Sequence, residues 1–235
     1  MLTAEDVRQE KEESLVTPLP DPLRYLVVEG AMGLGTSALA RLLAARFDAR
    51  LVLERYEENL YLERYYHEPA RWAFQAQIAF LTNRYRQQRT MRTLDLFYQG
   101  IVADYAFDKD RIFAELNLAG EDLELYEALY AQMEPGTPRP DLVVFLQGSV
   151  ERSMEEIRRR KRPYEETIDE EYVAELHHAY ASYFFRYTKS PLLIINTDDM
   201  DCVNCQDDFE ELVHQITKPV HGITYLRPVQ GGLFQ

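Results

Sequence analysis

The stretch VVEGAMGLGTSALARLL, residues 27–43, joins an apolar run to a glycine-rich loop and an apolar helical segment. Three glycines and a serine fit the phosphate-binding pattern G-x-x-x-x-G-K-[ST]: Gly30, Gly33, Gly35 and Ser37. In that pattern the backbone N–H groups cradle phosphates, the lysine reaches the β- and γ-phosphates, and the hydroxyl binds Mg²⁺. Thr36 stands where the pattern has lysine. The loop therefore predicts a phosphate-binding site that keeps Ser37 and has lost its mobile positive charge.

Apolar runs alternate with helical segments along the rest of the chain. Five short runs show little polar alternation, which is typical of strands buried on both faces of a parallel sheet: 25–30, 50–54, 100–104, 141–147 and 191–197. Helical segments are predicted at 37–47, 69–91, 108–132, 151–160, 169–187 and 206–217. This order predicts an α/β, three-layer fold with a five-stranded parallel sheet and helices on both faces.

Length and composition place these elements in one domain. The chain has 235 residues, of which 46% are hydrophobic, enough for a single core. Residues 1–21 are rich in proline and charge, so they are expected to form a flexible N-terminal arm. The domain itself is expected at 22–217, followed by a C-terminal tail at 218–235.

Charge and hydropathy argue against two classes of partner. The formal net charge of −14 disfavours binding to nucleic acid or to an anionic membrane, since both require a basic face. No apolar run reaches the ~18 residues that insert across a bilayer. The first residues lack the apolar region of a signal peptide, and the two cysteines are too few for a disulfide framework. A cytoplasmic location is therefore expected.

Three polar residues near the second run are candidate site residues. Glu54 ends that run. Because the carboxyl ends of parallel strands line the ligand crevice, Glu54 is either a general base or an ordinary strand-end carboxylate. Gln77 and Arg84 lie seven residues apart, which is two helical turns, so they share one helix face. That face predicts either recognition of a nucleobase or an exposed polar surface.

Seven segments together resemble the deoxynucleoside kinase family, and its short bacterial branch most of all: YLVVEGAMGLGTSALARLL, LVLERYEEN, ARWAFQAQIAFLTNRYRQ, ADYAFDKDRIFAELNL, PDLVVFLQGS, RRRKRPYEETIDEEYVAEL and PLLIINTDD. The resemblance covers residues 24–217. It implies a P-loop kinase fold with a small helical lid at 155–170, with ATP and Mg²⁺ as cofactors and a deoxynucleoside as ligand. The chain also resembles, more distantly, the nucleoside-kinase-like accessory subunit of respiratory complex I, which is not catalytic.

The resemblance assigns the nucleoside side of the site residue by residue. Glu54 corresponds to the general base that takes the proton of the 5′-hydroxyl. Tyr66 and Glu165 correspond to the residues that hold the sugar 3′-hydroxyl, with Glu165 in the lid. The residues expected around the nucleobase are Trp72, Gln77 and Arg84. The nucleoside side of the family pattern is therefore intact in this sequence.

The lid and the third strand carry the phosphate side. Arg160 and Arg162 correspond to arginines that close over the transferring phosphates, and Arg158 thickens the same basic cluster beside the nucleotide. Asp104 corresponds to the acid that organises Mg²⁺ together with Ser37.

Two departures from the family pattern fall on this phosphate side. The arginine and serine that follow the acid are replaced by Tyr105 and Ala106, and the P-loop lysine by Thr36. Because phosphoryl transfer depends on charge stabilisation, the loss of that lysine should slow the reaction. Lys161 in the lid is a candidate substitute charge.

These residues support a protein that binds a deoxynucleoside and ATP, with 5′-phosphorylation weakened or lost through Thr36. Two alternatives remain open at this point. One is a fully active kinase, and the other is a non-catalytic scaffold or accessory subunit of a larger complex that keeps the kinase fold.

The segment 69–91 also leads to a prediction about assembly. The family pairs such helices into a four-helix bundle across a two-fold axis. Apolar residues stand at Trp72, Ala76, Ala79 and Phe80, with Gln77 expected on another face. A homodimer is therefore predicted.

Overall fold

The sheet of the computed structural model has six parallel strands in the order β2-β3-β1-β4-β5-β6. The structure describes residues 17–91 and 100–227, so most of the predicted arm and the end of the predicted tail lie outside it. The strands are β1 (Tyr25–Gly30), β2 (Arg50–Val52), β3 (Ile101–Ala103), β4 (Leu142–Gln147), β5 (Leu192–Asn196) and β6 (Ile223–Leu226). The predicted parallel α/β fold is confirmed.

The predicted strand count of five was wrong by one. The additional strand, β6, lies within the segment 218–235 that was expected to be a tail, and it pairs in parallel with β5. It is an edge strand in which Ile223 and Tyr225 are exposed while Leu226 is buried. Such a short and partly polar segment lacks the continuous apolar run by which the other strands were recognised.

Eight α-helices occupy the described residues: α1 (Thr36–Arg46), α2 (Leu62–His67), α3 (Pro69–Met91), α4 (Asp108–Asn117), α5 (Gly120–Met133), α6 (Val150–Arg160), α7 (Glu170–Phe185) and α8 (Gln206–Ile216). They cover both faces of the sheet. The segment 108–132, predicted as one helix, is divided between α4 and α5 because Leu118 is extended and Gly120 has a φ of 56°. The helix α2 was not predicted.

The core forms where β1 and β4 pair at the centre of the sheet. Leu26, Val27 and Val28 of β1 have no exposed surface, and Leu39 and Leu43 of α1 are equally buried. Because every strand is parallel, all the carboxyl ends lie along one edge of the sheet. The loop that follows β1 and the residues that follow β2 and β3 therefore meet at this edge.

The helix α3 leaves the homodimer a prediction. Of the four apolar residues on which it rested, Ala76 is buried within the chain, while Trp72, Ala79 and Phe80 are half-buried. Exposed positions of the helix include Gln75, Arg86 and Arg89. Within the described residues, no helix combines the length and apolar character needed to cross a membrane.

Candidate active site

A cavity of about 310 Å³ opens at the carboxyl edge of the sheet. It is large enough for a small organic ligand. Most of the site residues predicted from the sequence line it: Gly30, Gly33, Gly35, Thr36, Ser37, Glu54, Tyr66, Gln77, Arg84, Asp104, Arg160, Arg162 and Glu165. The cavity thus gathers residues that are far apart in the sequence.

The glycine loop has the backbone geometry of an anion cradle. Gly33 and Gly35 have φ values of 92° and 85°, in the left-handed region where side chains are strained. A Cβ atom on Gly33 would also lie 2.6 Å from the carbonyl oxygen of Ser153, so the loop packs directly against α6. Thr36 is the first residue of α1, and the N-terminal end of this helix faces the cavity. The cradle is therefore complete in its backbone without a lysine side chain.

Asp104 connects the loop to the end of β2. Its Oδ2 accepts a hydrogen bond from the Ser37 hydroxyl, and its Oδ1 accepts one from the backbone N–H of Glu54 at 2.7 Å. The hydroxyl and the carboxylate assigned to Mg²⁺ are thus already in contact. Mg²⁺ is commonly held in this way, by one or two protein oxygens together with substrate phosphates.

Glu54 is held as a carboxylate by two cations. Arg84 Nε donates to Oε1 at 2.8 Å, and Lys109 Nζ lies 2.8 Å from Oε2. Burial by itself raises the pKa of Glu54, but Arg84 and Lys109 outweigh it and hold the pKa at about 2. The carboxylate is therefore ionised throughout the physiological pH range, and both of its oxygens can accept hydrogen bonds.

Gln77 and Arg84 are joined through a third residue, Asp110. Gln77 Nε2 donates to both the backbone oxygen and Oδ1 of Asp110, at 2.9 and 3.0 Å. Arg84 Nη1 donates to Oδ2 at 2.6 Å, and the Tyr126 hydroxyl donates to Oδ1 at 2.7 Å. Asp110 is fully buried. The prediction that Gln77 and Arg84 share a face is therefore borne out by the fold, and the buried Asp110 fixes both side chains.

The lid brings three charged residues to the cavity. Glu165 is buried and accepts a hydrogen bond from Arg162 Nη1 at 3.0 Å, while Arg160 Nη2 lies 3.5 Å from its Oε2. Among the described residues, Glu165 Oε2 and the Nε and Nη2 atoms of Arg160 are buried without a hydrogen-bond partner. Buried polar atoms are rarely left in that state, so this part of the cavity suits a polar ligand.

Tyr66 lies at the same end of the cavity as the lid. Its ring stacks on that of Tyr164 with the centroids 5.8 Å apart. Burial raises the pKa of Tyr66 well above its usual value, with a further contribution from Glu165. The hydroxyl therefore remains protonated and able to donate a hydrogen bond.

Two predicted residues, Trp72 and Arg158, lie away from the cavity lining. Trp72 stacks on Tyr61, with the guanidinium groups of Arg64 and Arg71 over its ring. Arg158 is exposed on the outer side of α6, two residues before Arg160, because such a spacing points side chains in different directions. Lys161 is also exposed, at the left-handed residue that ends α6.

Three charged residues around the site were missed by the sequence reasoning: Glu29, Lys109 and Asp110. Glu29 lies on β1 directly before the loop and accepts a hydrogen bond from Ala106 N at 2.7 Å. Its complete burial raises its pKa to about 7, although Lys109 opposes that rise. For Lys109 and Asp110 the sequence did contain a signal: in the segment DYAFDKD several charged residues follow a predicted buried strand directly. The sequence alone does not show that these charges point inward.

Comparison with known proteins identifies the family of the chain. The sequence profile of the family described as "Deoxynucleoside kinase" matches residues 26–221. The deoxyadenosine/deoxycytidine kinase of Bacillus subtilis is 31% identical over 204 residues, which cover 83% of this chain and 93% of that protein. The deoxyguanosine kinase of the same organism is 29% identical over 199 residues, covering 82% of this chain and 95% of that protein.

Solved structures show the same fold. A deoxyadenosine kinase from M. mycoides with bound dCTP superimposes with a TM-score of 0.71 at 23% identity, covering 81% of this chain and 97% of that one. The same enzyme with bound dATP gives a TM-score of 0.72 at 23% identity, covering 82% and 99%.

Proposed function

We propose, from the premise that the chain belongs to the deoxynucleoside kinase family, that it binds a deoxynucleoside and ATP and phosphorylates the 5′-hydroxyl, at a rate weakened by Thr36. One observation carries the proposal. The ionised Glu54 stands between the Gln77–Asp110–Arg84 group on one side and the Ser37–Asp104 pair on the other. A base in that position lies where an acceptor hydroxyl would meet a phosphate donor.

The chain's own residues supply most of what the reaction needs. The 5′-oxygen forms a bond to the γ-phosphorus of ATP, the bond from that phosphorus to the bridging oxygen of ADP breaks, and the hydroxyl proton passes to Glu54. Enzymes that transfer phosphoryl groups act mainly by positioning and charge stabilisation. Glu54 orients the hydroxyl, the glycine loop binds phosphate oxygens, and Arg160 offers its unused donors.

Ser37 and Asp104 fit Mg²⁺, because a hydroxyl and a carboxylate that touch each other form one side of an oxygen-ligand site. When bound, the ion would neutralise charge on the phosphates. The sugar end fits the same scheme, since Glu165 Oε2 can accept a hydrogen bond from a 3′-hydroxyl to which Tyr66 is adjacent.

Asp110 fixes which atom Gln77 presents to a nucleobase. Both hydrogens of Gln77 Nε2 are used by Asp110, so Gln77 presents its carbonyl oxygen to the cavity. Rotation of the amide would place that oxygen against the Asp110 carboxylate, which is unfavourable. We therefore expect Gln77 to bind a base through an N–H donor on its edge, which adenine, cytosine and guanine offer as an exocyclic amino group and thymine offers as N3–H. The B. subtilis relatives are kinases of deoxyadenosine, deoxycytidine and deoxyguanosine, whose bases all carry such a donor.

A second candidate function is a non-catalytic deoxynucleoside-binding protein. It is favoured by Thr36, which leaves the glycine loop without its cation, and by Tyr105, which replaces the arginine of the family pattern. Tyr105 is fully buried and donates to Gln87 Oε1 at 2.7 Å, so it contributes packing rather than charge.

Calorimetry with the four deoxynucleosides, run beside a phosphorylation assay with ATP and Mg²⁺, tests both candidates. Binding with turnover supports the kinase, whereas binding without turnover supports the second candidate. Absence of binding by any deoxynucleoside would leave a scaffold built on the kinase fold. Unchanged affinity of Gln77→Ala for every deoxynucleoside would contradict the proposed contact of Gln77 with the base.

A homodimer and a cytoplasmic location complete the proposal. Pairing through α3 would use half-buried apolar residues such as Trp72 and Ala79 together with exposed polar ones such as Gln75. Light scattering at micromolar concentration tests the assembly, and a monomer there would contradict it.

A further inference from the structure

The cavity contains a cation that the glycine loop does not provide. We propose that Lys109 supplies the positive charge of the missing P-loop lysine, and that its ammonium group binds the transferring phosphoryl group from the first turn of α4. This inference rests on the proposed kinase function and explains how transfer proceeds with Thr36 in the loop.

Lys109 is the cation best placed for this role. The cationic side chains that line the cavity in the described part of the chain are Arg84, Lys109, Arg160 and Arg162. Arg84 is committed to two carboxylates, and the two lid arginines share Glu165. Of the lysines that the structure describes, Lys109 alone lines the cavity. It belongs to the body of the domain, as the P-loop lysine of other kinases does.

The contacts of Lys109 place it at the point of transfer. Its Nζ lies 2.8 Å from Glu54 Oε2, and its side chain is 14% exposed. Burial lowers its pKa, but Glu54, Glu29 and Asp104 raise it further, so the ammonium group stays charged. Asp104 in turn holds Ser37. Lys109 therefore stands among the carboxylates that surround both the acceptor and the metal-binding side.

An ammonium group can serve Glu54 and a phosphate together. Lysine has three N–H donors, and the pair with Glu54 is the one ion pair of Lys109 within residues 17–91 and 100–227. During transfer Lys109 would keep its protons, while the hydroxyl proton passes to Glu54 and the bridging oxygen leaves on ADP. Lys109 would thus stabilise charge without taking part in the proton transfer.

Without Lys109 the carboxylates beside the glycine loop would repel a phosphate donor more strongly. Glu54 and Asp104 both line the cavity, the charge of Arg84 is shared between Glu54 and Asp110, and the two remaining cations, Arg160 and Arg162, both pair with Glu165. A lysine at position 36 would restore a positive charge to the same cavity from the opposite element, α1. The two positions should therefore compensate for each other, and this separates a direct role in phosphate binding from a role in placing Glu54.

The test removes the positive charge at position 109 and adds one at position 36. Lys109→Met and Lys109→Gln are each made alone and together with Thr36→Lys. Three quantities are measured: kcat, the affinity for the β,γ-imido analogue of ATP with Mg²⁺, and the affinity for the deoxynucleoside. Each single variant should lower kcat about 100-fold and weaken the analogue about tenfold, because a charge facing the phosphates is lost. Deoxynucleoside affinity should change by no more than about threefold. Adding Thr36→Lys to either variant should raise kcat about tenfold and the affinity for the ATP analogue about tenfold.

The matched control is Lys189→Met. Lys189 pairs with Asp108 and Glu134 beside the start of α4 but does not line the cavity. This variant should leave kcat and analogue affinity unchanged even if thermal unfolding shows a loss of stability. Lys109→Gln keeps a donor for Glu54 without the charge, and it remains informative if Lys109→Met does not fold.

The outcomes separate this inference from the proposed function. An active wild type whose kcat and analogue affinity are unaffected by Lys109→Gln would overturn the role of Lys109 and leave the kinase function intact. Failure of Thr36→Lys to restore either quantity would also overturn it, since Lys109 would then act only through Glu54. An inert wild type whose analogue affinity depends on Lys109 and recovers with Thr36→Lys would contradict the kinase function and support the inference.

Discussion

The proposed nucleoside end of the cavity, around Gln77, and the proposed phosphate end, around the glycine loop, are built in different ways. At the nucleoside end Asp110 receives hydrogen bonds from Gln77, Arg84 and Tyr126, and its carboxylate has no exposed surface. At the phosphate end two buried nitrogens of Arg160 have no hydrogen-bond partner among the described residues, although one of them lies 3.5 Å from Glu165, and the loop lacks a lysine. The nucleoside end is therefore pre-organised by hydrogen bonds among its own side chains, whereas the phosphate end has donors that remain available for a ligand.

This difference indicates which end of the cavity contributes to the stability of the fold. Interlocked buried charges cost much to break, because a remaining partner is left buried and uncompensated. Removing a donor that has no hydrogen-bond partner should change the free energy of unfolding little, but it should slow a reaction in which that donor binds a charged ligand. Variants at the nucleoside end should consequently affect folding or binding, and variants at the phosphate end should affect turnover.

The largest expected effect lies where the two ends meet. Glu54→Gln should lower kcat by about 10³-fold, because an amide cannot accept the hydroxyl proton. Deoxynucleoside affinity should change far less, since Gln77, Asp110 and Tyr66 remain in place. Steady-state kinetics and calorimetry on the same preparation measure both quantities. A variant that keeps most of its turnover would show that Glu54 is not the base.

The next prediction compares the two ends directly. Asp110→Asn should lower the free energy of unfolding by about 3 kcal/mol, because buried Arg84 loses one of its two carboxylate partners. Arg160→Met should change that free energy by less than about 1 kcal/mol, since its ion pair with Glu165 is loose. Urea denaturation measures both. Equal losses of stability would remove the proposed difference between the ends.

Arg160→Met should nevertheless lower kcat, by about 10²-fold, through the loss of donors to the phosphates. Asp110→Asn serves as its counterpart, because any fall in kcat there should be accompanied by weaker deoxynucleoside binding. The split between kcat and affinity thus distinguishes the two ends by a second, independent measurement.

A smaller effect is expected for contacts with the base and the sugar. Gln77→Ala and Tyr66→Phe should each weaken deoxynucleoside binding by about 1–3 kcal/mol, the usual cost of leaving a buried polar partner unpaired. The affinity for the ATP analogue should stay as in the wild type. Calorimetry with each ligand separately checks this, and a parallel loss of analogue affinity would argue that the two ends are coupled.

The smallest expected effect is a gain. Thr36→Lys should raise kcat about threefold, because it adds a positive charge facing the phosphates, while deoxynucleoside affinity stays unchanged. The gain should be smaller than in a Lys109→Met background, where no other cation serves. Glu54→Gln in the Thr36→Lys protein is the control and should abolish the gain. A variant that binds ATP well but gains no turnover would place the limitation at Tyr105 and Ala106.

Much of the fold could be predicted from the sequence because its signals are local. The continuous apolar runs of β1 and β4 and the glycines of the loop each identify their own structure without knowledge of distant residues. The edge strand β6 was not predicted, because its conformation depends on pairing with β5. The break between α4 and α5 was not predicted either, because it depends on one extended residue, Leu118.

Part of the candidate site could be predicted from residue spacing and from the family resemblance. Helical spacing put Gln77 and Arg84 on one face, and the end of an apolar run singled out Glu54. Trp72 shows the limit of this approach, since its ring stacks on Tyr61 away from the cavity, and no pattern in the sequence distinguishes the two locations.

The sequence by itself determined the parallel α/β architecture, the glycine-rich loop after β1 and the absence of a lysine from it. Only the tertiary structure decided that Asp110 locks the nucleoside end and that Lys109 meets Glu54 inside the cavity. The reason is physical. Apolar periodicity records which face of an element is buried, but the partner of a buried charge is chosen by the packing of separate elements, here α3 and α4 against the end of β2.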